Sequence, residues 1–202
     1  MQSAYRKCHS TETAIARVLS DILMALDCGD VAALALMDLS AVFNTVDHCI
    51  LLCRLCVSYG ISGAALSWIS LYLTDRQQCV WHDRMQSTHE FIKFGVPHGS
   101  VLGPLLFVLY TADLAPLIAK HRLHSHLYAD DMLVYGWCQP TDVSLLQANM
   151  SRCFDDVWRW MCSSRLQLNA LKTELIWGAP ARRRHHIPDR DVQVGYDSVH
   201  PV

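Results

Sequence analysis

Apolar and polar positions along the chain change their period from segment to segment, and the changes predict helices alternating with short buried strands. After Ser10-Thr11-Glu12, the residues Ile15, Val18, Leu19, Ile22, Leu23 and Leu26 fall on one face of a helix that Gly29 is placed to stop. That face predicts packing on a core. Val31-Ala32-Ala33-Leu34-Ala35-Leu36-Met37 is an unbroken apolar run between Asp30 and Asp38, the length of a strand buried on both faces, with Asp38 at its C-terminal end. Helical patterns follow at 48–58, with Asp47 as N-cap, and at 62–74, opened by Ser62. Short strands are predicted at 77–82 and 90–94, a loop at 95–100, and a mostly apolar helix at 104–119 with Pro104 in its first turn. A hairpin is predicted from 125–128 and 132–135 about a turn at Ala129-Asp130-Asp131. Leu145, Leu146, Met150, Phe154, Val157, Trp158 and Met161 mark a long helix over 142–163, and 175–177 a last strand. From Ala179 onward Pro, Arg, His and Asp dominate and periodicity ends, which predicts a loose polar tail. The layout is α+β, a few buried strands covered by helices.

Composition narrows this picture. Of 202 residues, 51% are hydrophobic and 18% charged, the balance of a globular chain and not of a disordered one. Lys and Arg number 17 against 19 Asp and Glu, a net charge of -2, so any site for a polyanion must be local. Nine cysteines are too sparse for a disulfide scaffold at this length and predict reduced thiols. The N-terminus lacks an apolar signal region, and the longest apolar stretch is interrupted by Gly103, Pro104, Asp113 and Pro116. The expectation is an intracellular protein, cytoplasmic or nuclear, neither exported nor membrane-spanning.

Candidate chemistry centres on carboxylates. Asp38 ends a buried strand and Asp130-Asp131 sit at the tip of an apolar hairpin, so one sheet can bring all three together. An Asp-Asp pair by itself is commonly only a turn, because the side chains bond nearby backbone amides. The apolar strands on both sides point further: clustered ionised carboxylates are costly unless a hard cation neutralises them. Cys49, Cys53 and Cys56 on one helical face, and His121, His124 and His126, are weaker metal candidates without a clear fourth ligand.

The segment Asp38-Leu39-Ser40-Ala41-Val42-Phe43-Asn44-Thr45-Val46-Asp47-His48 resembles motif A of reverse transcriptases. Gly95-Val96-Pro97-His98-Gly99-Ser100-Val101-Leu102-Gly103-Pro104-Leu105-Leu106-Phe107 resembles motif B, and Tyr128-Ala129-Asp130-Asp131 motif C. Gln2-Ser3-Ala4-Tyr5-Arg6-Lys7 with His9-Ser10-Thr11-Glu12-Thr13, and Leu168-Asn169 with Lys172-Thr173-Glu174, resemble the flanking blocks. The likeness runs from about residue 2 to 178 and is nearest to the non-LTR (LINE-type) retrotransposon enzymes.

That resemblance implies a polymerase palm-type antiparallel sheet covered by helices, within a partial core that begins after the finger strands and stops before a thumb. The expected parts are an N-terminal helical segment at 1–29, a palm core at 30–178 and the loose tail at 179–202. It implies an RNA-directed DNA polymerase using an RNA template, a DNA primer and deoxynucleoside triphosphates, with no membrane partner. Asp38, Asp130 and Asp131 are implied as ligands of two Mg²⁺ ions, with Mn²⁺ as an alternative, and Lys172 as a cation near the leaving pyrophosphate. Phe43 is implied under the incoming sugar, and Gly95, Pro97, His98, Gly99 and Ser100 around the nucleotide. Asn44 and His98 depart from the family pattern, which carries aspartate and glutamine there. An inactive palm remnant, and less readily a zinc module, stand as alternatives.

Overall fold

The structure, a computed structural model, describes residues 2–5, 7–40, 42–97, 99–195 and 197–202, with only the backbone described at 40, 42, 170 and 171. In chain order the first elements are helix α1 (Thr11–Asp27), strand β1 (Val31–Ser40), and helices α2 (Val42–Thr45), α3 (His48–Val57) and α4 (Gly63–Leu73). Two-residue strands follow: β2 (Gln77–Gln78), β3 (Trp81–His82), β4 (Met85–Gln86) and β5 (Glu90–Phe91). Then come α5 (Leu102–Thr111), α6 (Leu114–Ala119), β6 (His124–Tyr128), β7 (Asp131–Cys138), α7 (Val143–Ser163), β8 (Gln167–Gly178), β9 (Val192–Val194) and β10 (Asp197–Val199). They form two compact units, one of residues 1–40 with 112–202 and one of 41–111.

The first unit is built on a four-stranded antiparallel sheet in the order β6-β7-β1-β8. Its register pairs Ala33 with Gly136, Ala35 with Val134 and Met37 with Met132, residues that share one face and are buried. Helix α7 covers that face, and a Cβ on Gly136 would lie 3.2 Å from Leu146. Leu146, Met150, Phe154, Val157 and Met161 are buried as their spacing predicts, each such side chain contributing roughly 1.5–3 kcal/mol. The opposite face carries Ala32, Leu34, Leu36 and Asp38 of β1 against Trp137, Tyr135, Leu133 and Asp131 of β7. Helix α1 lies on this face, where the Tyr135 hydroxyl donates to Asp21 at 2.8 Å. A reciprocal Ser10–Thr13 capping box starts the helix.

Several expectations are corrected here. The buried residues of α1 are Ala14, Val18 and Ala25, while Ile15, Leu19 and Leu23 are exposed. Small side chains let the helix lie close on the sheet, which rotates the larger ones outward. Strand β1 is buried fully on the α7 face only. The strand expected at 175–177 is β8, which runs over 12 residues where three were expected and is not the last. The apolar stretch Leu102–Ala119, long and apolar enough to cross a membrane by composition, is two helices with Phe107, Tyr110, Leu114 and Ile118 buried.

The tail at 179–202 is not loose. Residues 181–186 form a 3-10 helix from which Arg183 donates to the Gly29 carbonyl, and β9 and β10 make a hairpin with Val192, Val194 and Val199 buried. Its turn at Gly195 sits so close to Trp158 that a Cβ there would be 2.5 Å from the indole. Three-residue strands are too short to register as a period, and docking on α7 decides their structure. The unit boundaries accordingly differ from the expected 29 and 178.

The second unit holds α2 to α5 and two short ribbons, β2 with β5 and β3 with β4. The Asp47 side chain accepts the Ile50 N–H at 3.0 Å and caps α3, as predicted. Leu51, Leu55, Phe107 and Tyr110 are buried, and the Arg54 guanidinium lies 4.6 Å from the centre of the Tyr110 ring.

Candidate active site

Strands β6 and β7 are joined by a two-residue turn, Ala129-Asp130, with Tyr128 paired to Asp131. Ala129 takes φ 54°, the left-handed conformation a primed hairpin turn needs at its first central position. Asp131 is the first residue of β7, not part of the turn as expected. It stands directly opposite Asp38 on β1, so the two side chains leave one rung of the ladder on the same face. Asp130 projects from the turn beside them. The Asp131 carboxyl titrates above the ordinary aspartate range, first because it is partly buried, then because Asp130 and Asp38 repel its charge; Lys172 acts in the opposite direction.

The other edge of β1 supplies the cation. Between Leu36, paired with Glu174, and Asp38, paired with Asn169, strand β8 bulges. Lys172 lies in the bulge with its ammonium 3.2 Å from Asp38 Oδ2. The Thr173 hydroxyl donates to the Asn169 carbonyl at 3.0 Å across the same bulge. A cavity of about 410 Å³ opens on this corner, bordered by Thr11, Asp38, Tyr128, Asp131, Lys172 and Glu174.

The donor set suits a hard divalent cation: oxygen ligands, mutually repelling carboxylates and an open approach. Among the described residues no three His, Cys, Asp or Glu side chains are gathered at ligand spacing. Lys172 holds Asp38 instead. The other metal candidates are engaged elsewhere or dispersed: His121 bonds Asp156 at 3.0 Å, His126 bonds Ser3 at 2.7 Å, His124 stacks on Trp137 at 4.7 Å, and Cys49, Cys53 and Cys56 are exposed.

In the second unit the loop after β5 is closed onto residues 43–46. The Gly95 N–H donates to the Val46 carbonyl and the Val96 N–H to the Phe43 carbonyl, each at 2.7 Å, while the Gly95 carbonyl is bonded by His48 at 2.7 Å and Arg76 at 3.2 Å. Gly95 has φ 85°, and a Cβ there would lie 2.6 Å from the Phe43 carbonyl oxygen. The Ser100 hydroxyl donates to the Pro97 carbonyl at 2.7 Å and accepts the Gly103 N–H at 2.9 Å, fixing the entry to α5. Gly99 also has positive φ. His98 lies outside the described residues. The half-buried Phe43 ring packs on Phe107 with centroids 4.9 Å apart.

The sequence profile described as reverse transcriptase (RNA-dependent DNA polymerase) matches residues 1–199. The chain belongs to this family. It is 31% identical over 138 residues to the RNA-directed DNA polymerase of the mobile element jockey from Drosophila funebris, covering 66% of this chain and 15% of that protein. To the probable RNA-directed DNA polymerase of transposon BS from Drosophila melanogaster it is 32% identical over 141 residues, 67% of this chain and again 15% of the relative. These relatives place it with the non-LTR retrotransposon reverse transcriptases. Among solved structures, telomerase from Candida tropicalis, truncated from its C-terminal domain, matches with a TM-score of 0.65 at 12% identity, over 95% of this chain and 39% of that one. Candida albicans telomerase, in complex with a fragment of telomeric RNA, matches with a TM-score of 0.60 at 14% identity, over 96% of this chain and 34% of that one. At such identity these two show the fold, a partial reverse transcriptase palm.

Within this reverse transcriptase segment, sequence reasoning singled out Asp38, Asp130, Asp131 and Lys172, and the fold brings all four to one corner of the first unit. It missed the N-terminal clip on that corner. Gln2 forms a parallel bridge with Leu127, the Ser3 N–H donates to the Leu127 carbonyl at 3.0 Å, and Ser3 and His126 are buried together. Burial then pushes the His126 imidazole below its ordinary pKa, with nearby positive groups adding to the effect. Tyr5 follows the clip with φ 59°, and its phenol titrates high through burial first and then the nearby Asp130 charge. No periodicity marks residues 2–5; only the quoted block before motif A pointed to them.

Proposed function

We propose that this segment carries the nucleotidyl-transfer centre of an RNA-directed DNA polymerase, extending a DNA primer on an RNA template with deoxynucleoside triphosphates. The observation that carries the reading is the rung shared by Asp38 and Asp131, with Asp130 next to it in the turn. Bound there, two Mg²⁺ ions, or Mn²⁺ in their place, would supply charge neutralisation at the primer 3′-oxygen and at the triphosphate. Asp38 and Asp131 on their strands, with Asp130 in the turn beside them, hold that charge in place. Lys172 adds a positive group for the departing pyrophosphate. In the second unit, Phe43 limits the sugar to its deoxy form, and Gly95, Pro97, His98, Gly99 and Ser100 receive the nucleotide, with the two glycines allowing close approach of the backbone.

The chain spans 15% of the length of the curated relatives described above, so the test uses a chimaera. Residues 1–199 replace the matching segment of the jockey polymerase, and deoxynucleotide incorporation on an RNA template is measured. Asp38→Ala and Asp130→Ala each lower incorporation by at least about a hundredfold, because a ligand to the cation is lost. Retention of substantial activity in either variant rejects the assignment. Asn44 and His98 favour a second reading, a palm that folds and binds cations without polymerising. A chimaera inactive both as it stands and after Asn44→Asp with His98→Gln, while still folded, supports that reading instead.

A further inference from the structure

We propose that Lys172 is a built-in stand-in for a divalent cation at Asp38, and that metal loading proceeds by exchange of its ammonium. The inference rests on the metal reading of the aspartate corner given above. An unbroken ladder continuing from the Leu36–Glu174 pair would set Lys172 opposite Asp38 as an ordinary strand partner; the observed partner is Asn169. The bulge takes Lys172 out of the ladder while its ammonium stays 3.2 Å from Asp38 Oδ2. The ammonium is therefore tied to Asp38 by the side-chain ion pair and not by a strand pairing of the two residues.

Exposure points the same way. The Lys172 side chain is 68% exposed and that of Asp38 is 23% exposed. Departure of the ammonium costs little, since water receives it directly, whereas an Asp38 left without a cation faces Asp131 and Asp130. Among the described residues bordering the cavity Lys172 is the cation, against Asp38, Asp131 and Glu174. Thr173 is buried and its hydroxyl bond to the Asn169 carbonyl holds the bulge, so the ammonium is positioned by structure and is not a loose surface charge. A divalent ion and the ammonium seek the same carboxylate oxygens, and one must yield to the other.

Titration of the full 202-residue chain with Mn²⁺, followed by the loss of the free-ion paramagnetic resonance signal, tests the exchange. Lys172→Met is expected to bind Mn²⁺ roughly three- to fivefold more tightly than the parent, the size of a partly exposed ion pair. Lys120→Met removes the same charge away from the cavity and is expected to change affinity by less than half as much. Equal gains in the two variants, or no gain in Lys172→Met, overturn the proposal while leaving the metal reading intact. If neither the parent nor Lys172→Met shows binding that Asp38→Asn abolishes, the metal reading falls and the exchange falls with it.

Discussion

The sheet corner at Asp38 and the loop at Gly95 place their residues by different means. On the sheet, strand register sets Asp38 against Asp131, and the side chains are carried by backbones whose other face is packed on α7. In the unit of residues 41–111 the loop is held by hydrogen bonds to the 43–46 backbone, its neighbouring ribbons are two residues long, and Trp68, Trp81 and Phe91 are exposed. The first arrangement draws its precision from a large buried core, so it resists local change and fails only when the sheet fails. The second draws it from close backbone approach, where a single methyl group matters. Charge is gathered in the first and steric room is kept in the second.

Perturbing each region in its own currency breaks the comparison if it is wrong. The largest effect is expected for Phe154→Ala, which empties a fully buried position under the sheet and costs roughly 3–5 kcal/mol. Chemical denaturation measures it, and a loss below about 1 kcal/mol would show that α7 does not brace the corner. Gly95→Ala comes next, at about 1–3 kcal/mol, because the new methyl meets the Phe43 carbonyl in a left-handed backbone. Amide exchange should quicken at Val96 and leave β1 and β7 protected. Uniform loosening of both regions would erase the distinction drawn here.

The smallest effect sharpens the electrostatic side. Asp131 has a raised pKa in the folded chain, so its folded form holds the proton more tightly than the unfolded chain does. Its contribution to stability is present below the ordinary aspartate pKa and is lost as pH rises through the raised value. At neutral pH the ionised carboxylate opposes folding. Asp131→Asn is therefore expected to stabilise the metal-free chain at neutral pH by less than about 1 kcal/mol, because the residue, though partly desolvated, keeps enough contact with water for its charge to be screened, and to lose that advantage in acid. Denaturation midpoints at the two pH values check the sign; a destabilised Asn variant at neutral pH contradicts the crowding of carboxylates.

Helix α7, the core of β1, the hairpin and the Asp47 cap were legible because each is written in local spacing or local hydrogen bonding, within a single element and its immediate neighbours. The family, and with it Asp38, Asp130, Asp131 and Lys172 as the residues to watch, was legible in the ordered motifs. The sequence by itself thus determined which segments are helix or strand in the core and which side chains are the candidates for chemistry. Tertiary structure alone decided the face of α1, since periodicity defines a stripe but not which of its edges meets a sheet that favours Ala14, Val18 and Ala25. It decided the docking of β9 and β10, whose strands are too short to form without α7. The bulge at Lys172 belongs to the same class. A bulge is a relation between two strands, so no pattern in one of them reveals that Asp38 faces Asn169 while holding the ammonium of Lys172.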